Sequence, residues 1–104
     1  MSIYEIATYT VKPASRAKCE QAIRDFVDYV KHNEPGTKLY TALQATEDTT
    51  SFLHVFVFED EAAHDRHSNS DAVHRFSSIL YPECLAPVKF TDYALVASNV
   101  DFGT

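Results

Sequence analysis

Residues 50–70 read TSFLHVFVFEDEAAHDRHSNS, and the first half of this stretch alternates ring-bearing side chains with aliphatic ones. Because alternate residues of a β-strand share one face, the rings are expected to form a continuous wall. The aliphatic residues between them would pack on the reverse side, so the strand is predicted to be covered on both faces. The ring residues are Phe52, His54, Phe56 and Phe58.

The second half of the stretch changes from a strand pattern to a helical one after Glu59 and Asp60. Ala63 and His67 are four residues apart and would therefore lie on the same helical face. An imidazole at the far end of this helix can then be turned back toward the strand. We interpret the rings and the imidazole as the lining of a pocket for a flat organic molecule.

Upstream, the sequence predicts a strand followed by an amphipathic helix. Ile3–Lys12 is β-branched and aromatic with polar interruptions, which favours a strand, and Pro13 ends it. Ser15 can cap a helix that stops near His32 and Asn33. Apolar residues at i, i+3, i+4 and i+7 spacing predict its buried stripe. They are Cys19, Ala22, Ile23, Phe26, Val27 and Val30.

A turn and a second strand separate this helix from the ring-bearing strand. In the turn, Glu34-Pro35-Gly36-Thr37, proline fixes φ and glycine is expected to take the positive φ that a reversal needs. Leu39–Ala45 is the second strand, and it is predicted to form a hairpin with the ring-bearing strand.

The last third of the chain predicts one more helix and one more strand. Ser70 can cap a helical segment that ends at Tyr81-Pro82. Val88–Ser98 is the predicted final strand, and 99–104 is expected to be a loose tail. The apolar residues at helical spacing are Ala72, Val73, Phe76, Ile79 and Leu80.

This order, βαββαβ, predicts an α+β ferredoxin-like fold with a four-stranded antiparallel sheet. We expect a single domain over 1–104 with its core at about 3–98. Two helices would cover one sheet face and leave the other bare. Packing two bare faces together in a symmetric homodimer is the simplest way to cover them.

The amino-acid composition limits the kinds of molecule that this chain is expected to bind. The net charge of −6 and only nine Lys and Arg argue against nucleic acid or an anionic membrane surface. Cys19 and Cys84 are the only thiols and lack CxxC spacing, which is typical of a reduced, cytoplasmic protein. No run of apolar residues is as long as a membrane-spanning helix requires. We therefore expect a cytoplasmic protein with a small-molecule partner, an aromatic one given the rings.

Several of these features together resemble the antibiotic biosynthesis monooxygenase family. They are the proline that precedes the first helix, the turn at 34–37, the end of the ring strand at 58–60, and Ala63 and His67 before Ser70. The resemblance covers about 3–98. It implies a dimeric α/β barrel, with a pocket between sheet and helices in each subunit.

The resemblance also implies a range of chemistries. Several members oxidise quinols or polycyclic phenols with dioxygen and no metal, flavin or haem, while relatives degrade haem or isomerise small sugar-derived ligands. His67 matches the family histidine. Many relatives carry a glutamate two residues before the aromatic that corresponds to Phe58, and this chain has Phe56 there. A catalytic part played by that acid would not be available here in the same way.

Cofactor-free oxygenation requires a base and a dry aromatic pocket. His67 and His54 are the candidate bases, because histidine titrates near neutral pH. The residues Tyr40, Tyr93 and Tyr9 could donate to a substrate oxygen. The predicted pocket wall is aromatic, which suits stacking of a planar substrate. It comprises Phe52, Phe56, Phe58 and Phe76.

Other interpretations remain open at this point. A packed structural role is an alternative for both histidines and for each aromatic residue. A metal site would need an unbroken helix carrying His64, His67, Asp71 and His74, and Ser68-Asn69-Ser70 is expected to break it, so we predict no metal site. The resemblance to the cofactor-free members of the family implies that no cofactor is needed. The rivals to a cofactor-independent monooxygenase are an acid–base enzyme such as an isomerase acting on a small carbonyl compound, and a non-enzymatic dimer that binds aromatic ligands in a stress response.

Overall fold

The computed structural model describes residues 1–102 and contains a four-stranded antiparallel sheet with three α-helices. The strands lie in the order β2-β3-β1-β4, which confirms the α+β ferredoxin-like prediction. Among the described residues, none of the helices combines the length and hydrophobicity needed to cross a bilayer. The elements are β1 (Ile3–Thr10), α1 (Arg16–Asn33), β2 (Thr37–Gln44), β3 (Ser51–Phe58), α2 (Glu61–Ser68), α3 (Asp71–Leu80) and β4 (Lys89–Tyr93).

Strand register gives the sheet an inner face that the helices cover. Strand β3 lies at the centre, paired with β1 on one side and with β2 on the other. His54 is opposite both Ala7 of β1 and Ala42 of β2, so these three side chains share the inner face. The alternate rings of β3 are all on this face, and none is more than 5% exposed. The predicted wall and hairpin are therefore confirmed.

Local capping interactions fix the two short helices. The Asp60 carboxylate accepts a hydrogen bond from the Ala63 amide at 2.9 Å, and the Ser70 hydroxyl accepts one from the Val73 amide at 3.1 Å. These are the side-chain caps that start helices α2 and α3. The predicted break between them is confirmed. Ser15 stands at the N-cap position of α1 but donates to Glu83 instead of capping the helix.

The last strand is shorter than predicted. Strand β4 ends at Tyr93 rather than Ser98, because Tyr93 pairs with Tyr4 near the beginning of β1 and little of β1 remains beyond that pair. Residues 94–102 have no regular secondary structure, and the Phe102 ring packs edge-on against Tyr4 with centroids 6.1 Å apart. The final two residues of the predicted tail, 103–104, lie outside the described residues.

The outer face of the sheet carries apolar side chains that no helix covers. Register puts Tyr4 and Tyr93 on this face, together with Leu53 and its partner Leu43. Leu43 is 53% exposed and Tyr93 is 55% exposed. The single chain therefore leaves apolar surface open, and the homodimer stays a prediction.

Gly36 allows the turn after α1 to approach α2 closely. Its backbone does not have a positive φ, so the conformational reason predicted for this glycine is wrong. A Cβ at this position would instead lie 2.7 Å from the Ala63 Cβ and 3.0 Å from the Arg66 guanidinium. Real Cβ atoms almost never come as close as 2.7 Å. The absence of a side chain at Gly36 thus allows α2, which carries His67, to pack closely against the turn.

Gly36→Ala is expected to lower the free energy of unfolding by about 1–3 kcal/mol, the usual cost of overpacking a tight contact. The measurement is urea denaturation. Ala63→Gly alone should cost about 1 kcal/mol through helix propensity.

The double variant tests the cause. If the Gly36–Ala63 contact is responsible, Gly36→Ala with Ala63→Gly loses less stability than the two single changes added together. Simple additivity would contradict this explanation.

Candidate functional site

A cavity of about 390 Å³ lies between the inner face of the sheet and the three helices. Strands and helices contribute opposite walls, so its shape depends on how α2 and α3 sit on the sheet. The lining residues from the sheet include Glu5, Ala7, Tyr40, His54, Phe56 and Phe90, and those from the helices include Phe26, His67 and Phe76.

The space exists because a small residue occupies the middle of the wall. Ala7 is 4% exposed and lies opposite His54 on one neighbouring strand and Phe90 on the other. A methyl group between two rings leaves room that a larger side chain would fill. The wall is therefore aromatic along most of its length, and the open space lies beside Ala7 at its centre.

Stacked rings form much of the walls. Tyr40 stacks on Phe56 with centroids 4.9 Å apart, and Phe26 stacks on Phe76 at 4.7 Å. His67 packs against the Phe58 ring at 5.0 Å. Offset-stacked and tilted arrangements of this kind stabilise aromatic pairs beyond simple burial. The cavity is thus bounded by flat apolar surfaces that suit a planar ligand.

His54 is held between two tyrosine hydroxyls. Its Nε2 is 2.7 Å from the Tyr9 hydroxyl, and its Nδ1 is 2.8 Å from the Tyr40 hydroxyl. The imidazole is 2% exposed, and burial lowers its pKa to about 4. A neutral imidazole has one N–H and one lone pair, so one tyrosine donates to the ring and the other accepts from it.

The two tyrosines are themselves strongly perturbed. Burial raises the pKa of Tyr9 and Tyr40 well above the usual tyrosine range. Both phenols are therefore neutral at physiological pH and can act as hydrogen-bond donors. The result is a continuous neutral chain, Tyr9–His54–Tyr40, along the sheet side of the cavity.

His67 is held differently, by a charged partner. Its Nδ1 lies 2.8 Å from Glu34 Oε1, and the side chains are 8% and 9% exposed. Helix α2 supplies the histidine, and the turn after α1 supplies the carboxylate. Glu34 Oε1 also accepts from the Thr37 hydroxyl at 2.8 Å. With Nδ1 bound in this way, Nε2 is the ring nitrogen left for a ligand.

The Glu34 carboxyl keeps its charge despite its position. Burial alone raises its pKa, but hydrogen bonding from His67 and Thr37 and the positive charges of His67 and Arg66 outweigh burial, so the pKa of Glu34 is lowered. Among the described residues, Glu34 Oε2 is the buried side-chain oxygen without a hydrogen-bond partner. A carboxylate in this position can stabilise an imidazolium.

The structure brings together most, but not all, of the predicted site residues. His54, His67, Tyr40, Phe56 and Phe76 line the cavity. Phe52 and Phe58 are buried in the adjacent core, and neither lines the cavity.

Tyr93 is on the other side of the sheet. It pairs with Tyr4 on the outer face, whereas Phe90 of the same strand faces the cavity. The two aromatics of β4 are three residues apart, and a period of two puts such residues on opposite faces. The expectation that Tyr93 faces the pocket therefore does not agree with its position.

The sequence patterns do not identify several residues of the site. Phe26 fits the core stripe of α1, Glu34 fits the turn, and Glu5, Ala7 and Phe90 carry no pocket signal of their own. Glu5 could have been found, because it is an acidic residue at an inner-face position of β1. The partnership of Glu34 with His67 could not, since 33 residues separate the two in sequence.

The metal alternative considered from sequence depended on one continuous helix. The chain leaves the helix between Ser68 and Asp71, so the four proposed ligands do not share a helical face. Within residues 1–102, one group has ligand atoms within 4.8 Å of one another and could hold an ion. It consists of Glu61, His64 and Asp65, at the surface of α2.

Lowering the pH from about 6.5 to 4 is expected to destabilise the protein through His54. In that range the unfolded chain binds a proton on this residue and the folded chain does not, so stability falls as pH falls. Wild type should lose about 3 kcal/mol more than His54→Gln across this range. Chemical denaturation at several pH values measures the difference. Parallel losses in the two proteins would exclude a buried neutral histidine.

Comparisons with known proteins agree with this fold. Residues 2–78 match the model of the family described as antibiotic biosynthesis monooxygenase. None of the curated proteins matches the chain.

Solved structures share the fold closely. A Caulobacter crescentus protein named as a candidate antibiotic biosynthesis monooxygenase is 22% identical, with a TM-score of 0.85 over 92% of this chain and 91% of that one. A similarly named Nitrosomonas europaea protein is 18% identical, with a TM-score of 0.84 over 91% and 90%. The protein PA3566 from Pseudomonas aeruginosa is 27% identical, with a TM-score of 0.82 over 92% and 95%. Because the family model matches most of its length, this chain belongs to the antibiotic biosynthesis monooxygenase family, and a monooxygenase-like function follows at that general level.

Proposed function

We propose that this protein is a cofactor-independent monooxygenase that oxidises a quinol-like or polycyclic phenol with dioxygen. The observation that carries the proposal is a buried histidine, His67, held by Glu34 at the wall of a ring-lined cavity. The volume, about 390 Å³, is within the range of small-molecule sites.

His67 is the proposed base. Glu34 fixes the imidazole through Nδ1 and stabilises the positive charge that the ring gains when Nε2 takes a proton. The proton comes from the phenol hydroxyl of the substrate. A phenolate is much more electron-rich than a phenol and can pass an electron to dioxygen.

His54 is not suited to the same role. Both of its nitrogens are engaged, and its pKa of about 4 makes it a weak base. We assign it an orienting role, in which Tyr9 donates to Nε2 and Nδ1 donates to Tyr40. Tyr40 then retains its own O–H for a substrate oxygen on the cavity side.

The overall reaction balances without another reductant. A phenol loses its O–H hydrogen and one ring C–H hydrogen. One atom of dioxygen becomes the second quinone oxygen, and the other leaves as water with those two hydrogens. The protein removes the first proton, holds the ring flat between aromatic walls, and limits the access of water.

Replacing His67 with Ala is expected to lower the rate of oxygen consumption with a naphthalenediol substrate by roughly 100-fold or more, the usual range for loss of a general base. An oxygen electrode measures the rate, corrected for spontaneous oxidation. His32→Ala, at an exposed position on α1, is the matched control and should retain the wild-type rate.

Glu34→Gln tests the contribution of the carboxylate charge separately from that of the histidine. The amide still reaches the histidine but carries no charge, so turnover should fall while substrate binding changes little. A wild-type rate of oxygen consumption in His67→Ala would show that His67 is not the base.

The rival functions predict different results for the wild-type protein. A ligand-binding dimer would be stabilised by phenols without consuming oxygen. An isomerase would exchange substrate protons with solvent, again without oxygen consumption.

We also propose that the outer face of the sheet packs against the same face of a second copy. Its support is the uncovered apolar surface around Leu43, Leu53 and Tyr93. A symmetric pair buries such a patch on both chains at once.

Val55→Lys, in the middle of the outer face of β3, is expected to shift the protein from dimer to monomer. A lysine at the centre of an apolar interface would bury an unpaired charge. Sedimentation velocity measures the mass. Thr46→Lys, in the exposed turn after β2, is the control and should leave the dimer intact. A monomeric wild type would contradict the proposal.

A further inference from the structure

One carboxyl group lines the cavity within residues 1–102, and the proposed mechanism does not use it. Glu5 lies on β1, where its register partners are Phe56 on the central strand and Asp92 on the edge strand. Its backbone neighbours across the sheet therefore put it on the inner face, two residues from Ala7. It is half-buried, and the edge strand beside it is largely open to solvent.

A second carboxylate, Asp92, lies beside Glu5 on the neighbouring strand. Burial raises the pKa of the Glu5 carboxyl, and hydrogen bonding with Asp92 and the charge of Asp92 raise it further. His64 and His67 on α2 act in the opposite direction. The groups that face Glu5 are thus an acid from β4 and two histidines from α2.

The charge of Glu5 acts on Tyr40, which lies in the same row of the sheet, on the other side of Phe56. Burial is the main reason that the pKa of Tyr40 is raised, and the negative charges of Glu34 and Glu5 add to it. Glu5 therefore acts electrostatically on the hydroxyl assigned to the substrate oxygen. Because Glu5 and Asp92 are register partners on neighbouring strands, this part of the wall carries two acidic groups side by side.

We propose that Glu5 is a specificity determinant of the cavity, which excludes aromatic ligands carrying an anionic group and favours those presenting a neutral hydroxyl or amide N–H at that end. This inference names the substrate class of the proposed monooxygenase site and rests on the proposed use of that cavity. Glu5 is an acceptor with no cationic side chain from Lys or Arg in the cavity lining.

The physical reason is repulsion between like charges at reduced dielectric. Two negative groups about 4 Å apart in a partly buried site repel strongly enough to change binding by an order of magnitude or more. An exposed Asp92 next to Glu5 adds to the repulsion. A hydroxyl or amide at the same place instead donates a hydrogen bond to a charged acceptor, which is the stronger kind.

The test compares two ligands of the same shape, a hydroxynaphthoate and its primary amide. Binding is measured by calorimetry without oxygen at a fixed, slightly alkaline pH. Wild type should bind the amide roughly tenfold or more tightly than the carboxylate. Glu5→Gln should reduce that preference to about twofold or less by improving binding of the carboxylate.

Glu47→Gln is the matched control. It makes the same chemical change in the exposed turn between β2 and β3, and it should keep the wild-type preference. This control separates a local effect of Glu5 from the loss of one negative charge anywhere on the chain.

Asp92→Lys tests the idea if Glu5→Gln does not fold. The position is exposed, and the lysine would neutralise the field of Glu5, so the carboxylate should gain affinity toward that of the amide. The proposal is overturned by an unchanged preference in these variants, by equal affinity of wild type for both ligands, or by binding of neither.

The result is independent of turnover. Absence of oxygen consumption would remove the monooxygenase proposal and leave a measured charge preference standing. Oxygen consumption together with an unchanged preference in Glu5→Gln would remove only the role of Glu5.

Discussion

The neutral hydrogen-bonded chain Tyr9–His54–Tyr40 is the constraint on which the inner face of this sheet depends. A buried imidazole is costly unless both nitrogens are satisfied, and here two neutral phenols satisfy them. The chain ties the central strand to both of its neighbours through side chains, in addition to the backbone ladder. Tyr9 also stacks on Phe52 and Tyr40 on Phe56, so the chain is continuous with the aromatic wall beside Ala7.

The opposite wall depends on a different kind of interaction. Glu34 and His67 form a charge-assisted contact between the turn after α1 and the end of α2, and Gly36 allows those two segments to meet. Apart from Glu5, the sheet therefore contributes a neutral hydrogen-bonded chain to the cavity, and the opposite wall contributes an ionisable pair. This division underlies our assignment of His67 as the base and His54 as the orienting residue.

Much of the fold could be predicted from the sequence, because its signals are local. The period-two rings of β3, the stripe of α1 and the capping serine at 70 each depend on residues close together in the chain. The end of β4 could not be predicted, since it is set by where β1 begins. The partners of the histidines were also hidden, because Tyr9 and Glu34 are 45 and 33 residues away from them. Tyr93 is an aromatic residue of the kind that lines such a pocket, but the alternation of side chains along β4 puts it on the opposite face of the sheet.

The central claim is that the cavity binds a planar phenol with its hydroxyl at His67. A crystal structure of the protein with a stable naphthol bound tests this claim most directly. The account predicts ring density between the Tyr40–Phe56 wall and Phe76, with the ligand oxygen about 3 Å from His67 Nε2. A naphthol bound elsewhere, or a cavity filled by collapsed side chains while His67 Nε2 bonds to protein, would contradict it.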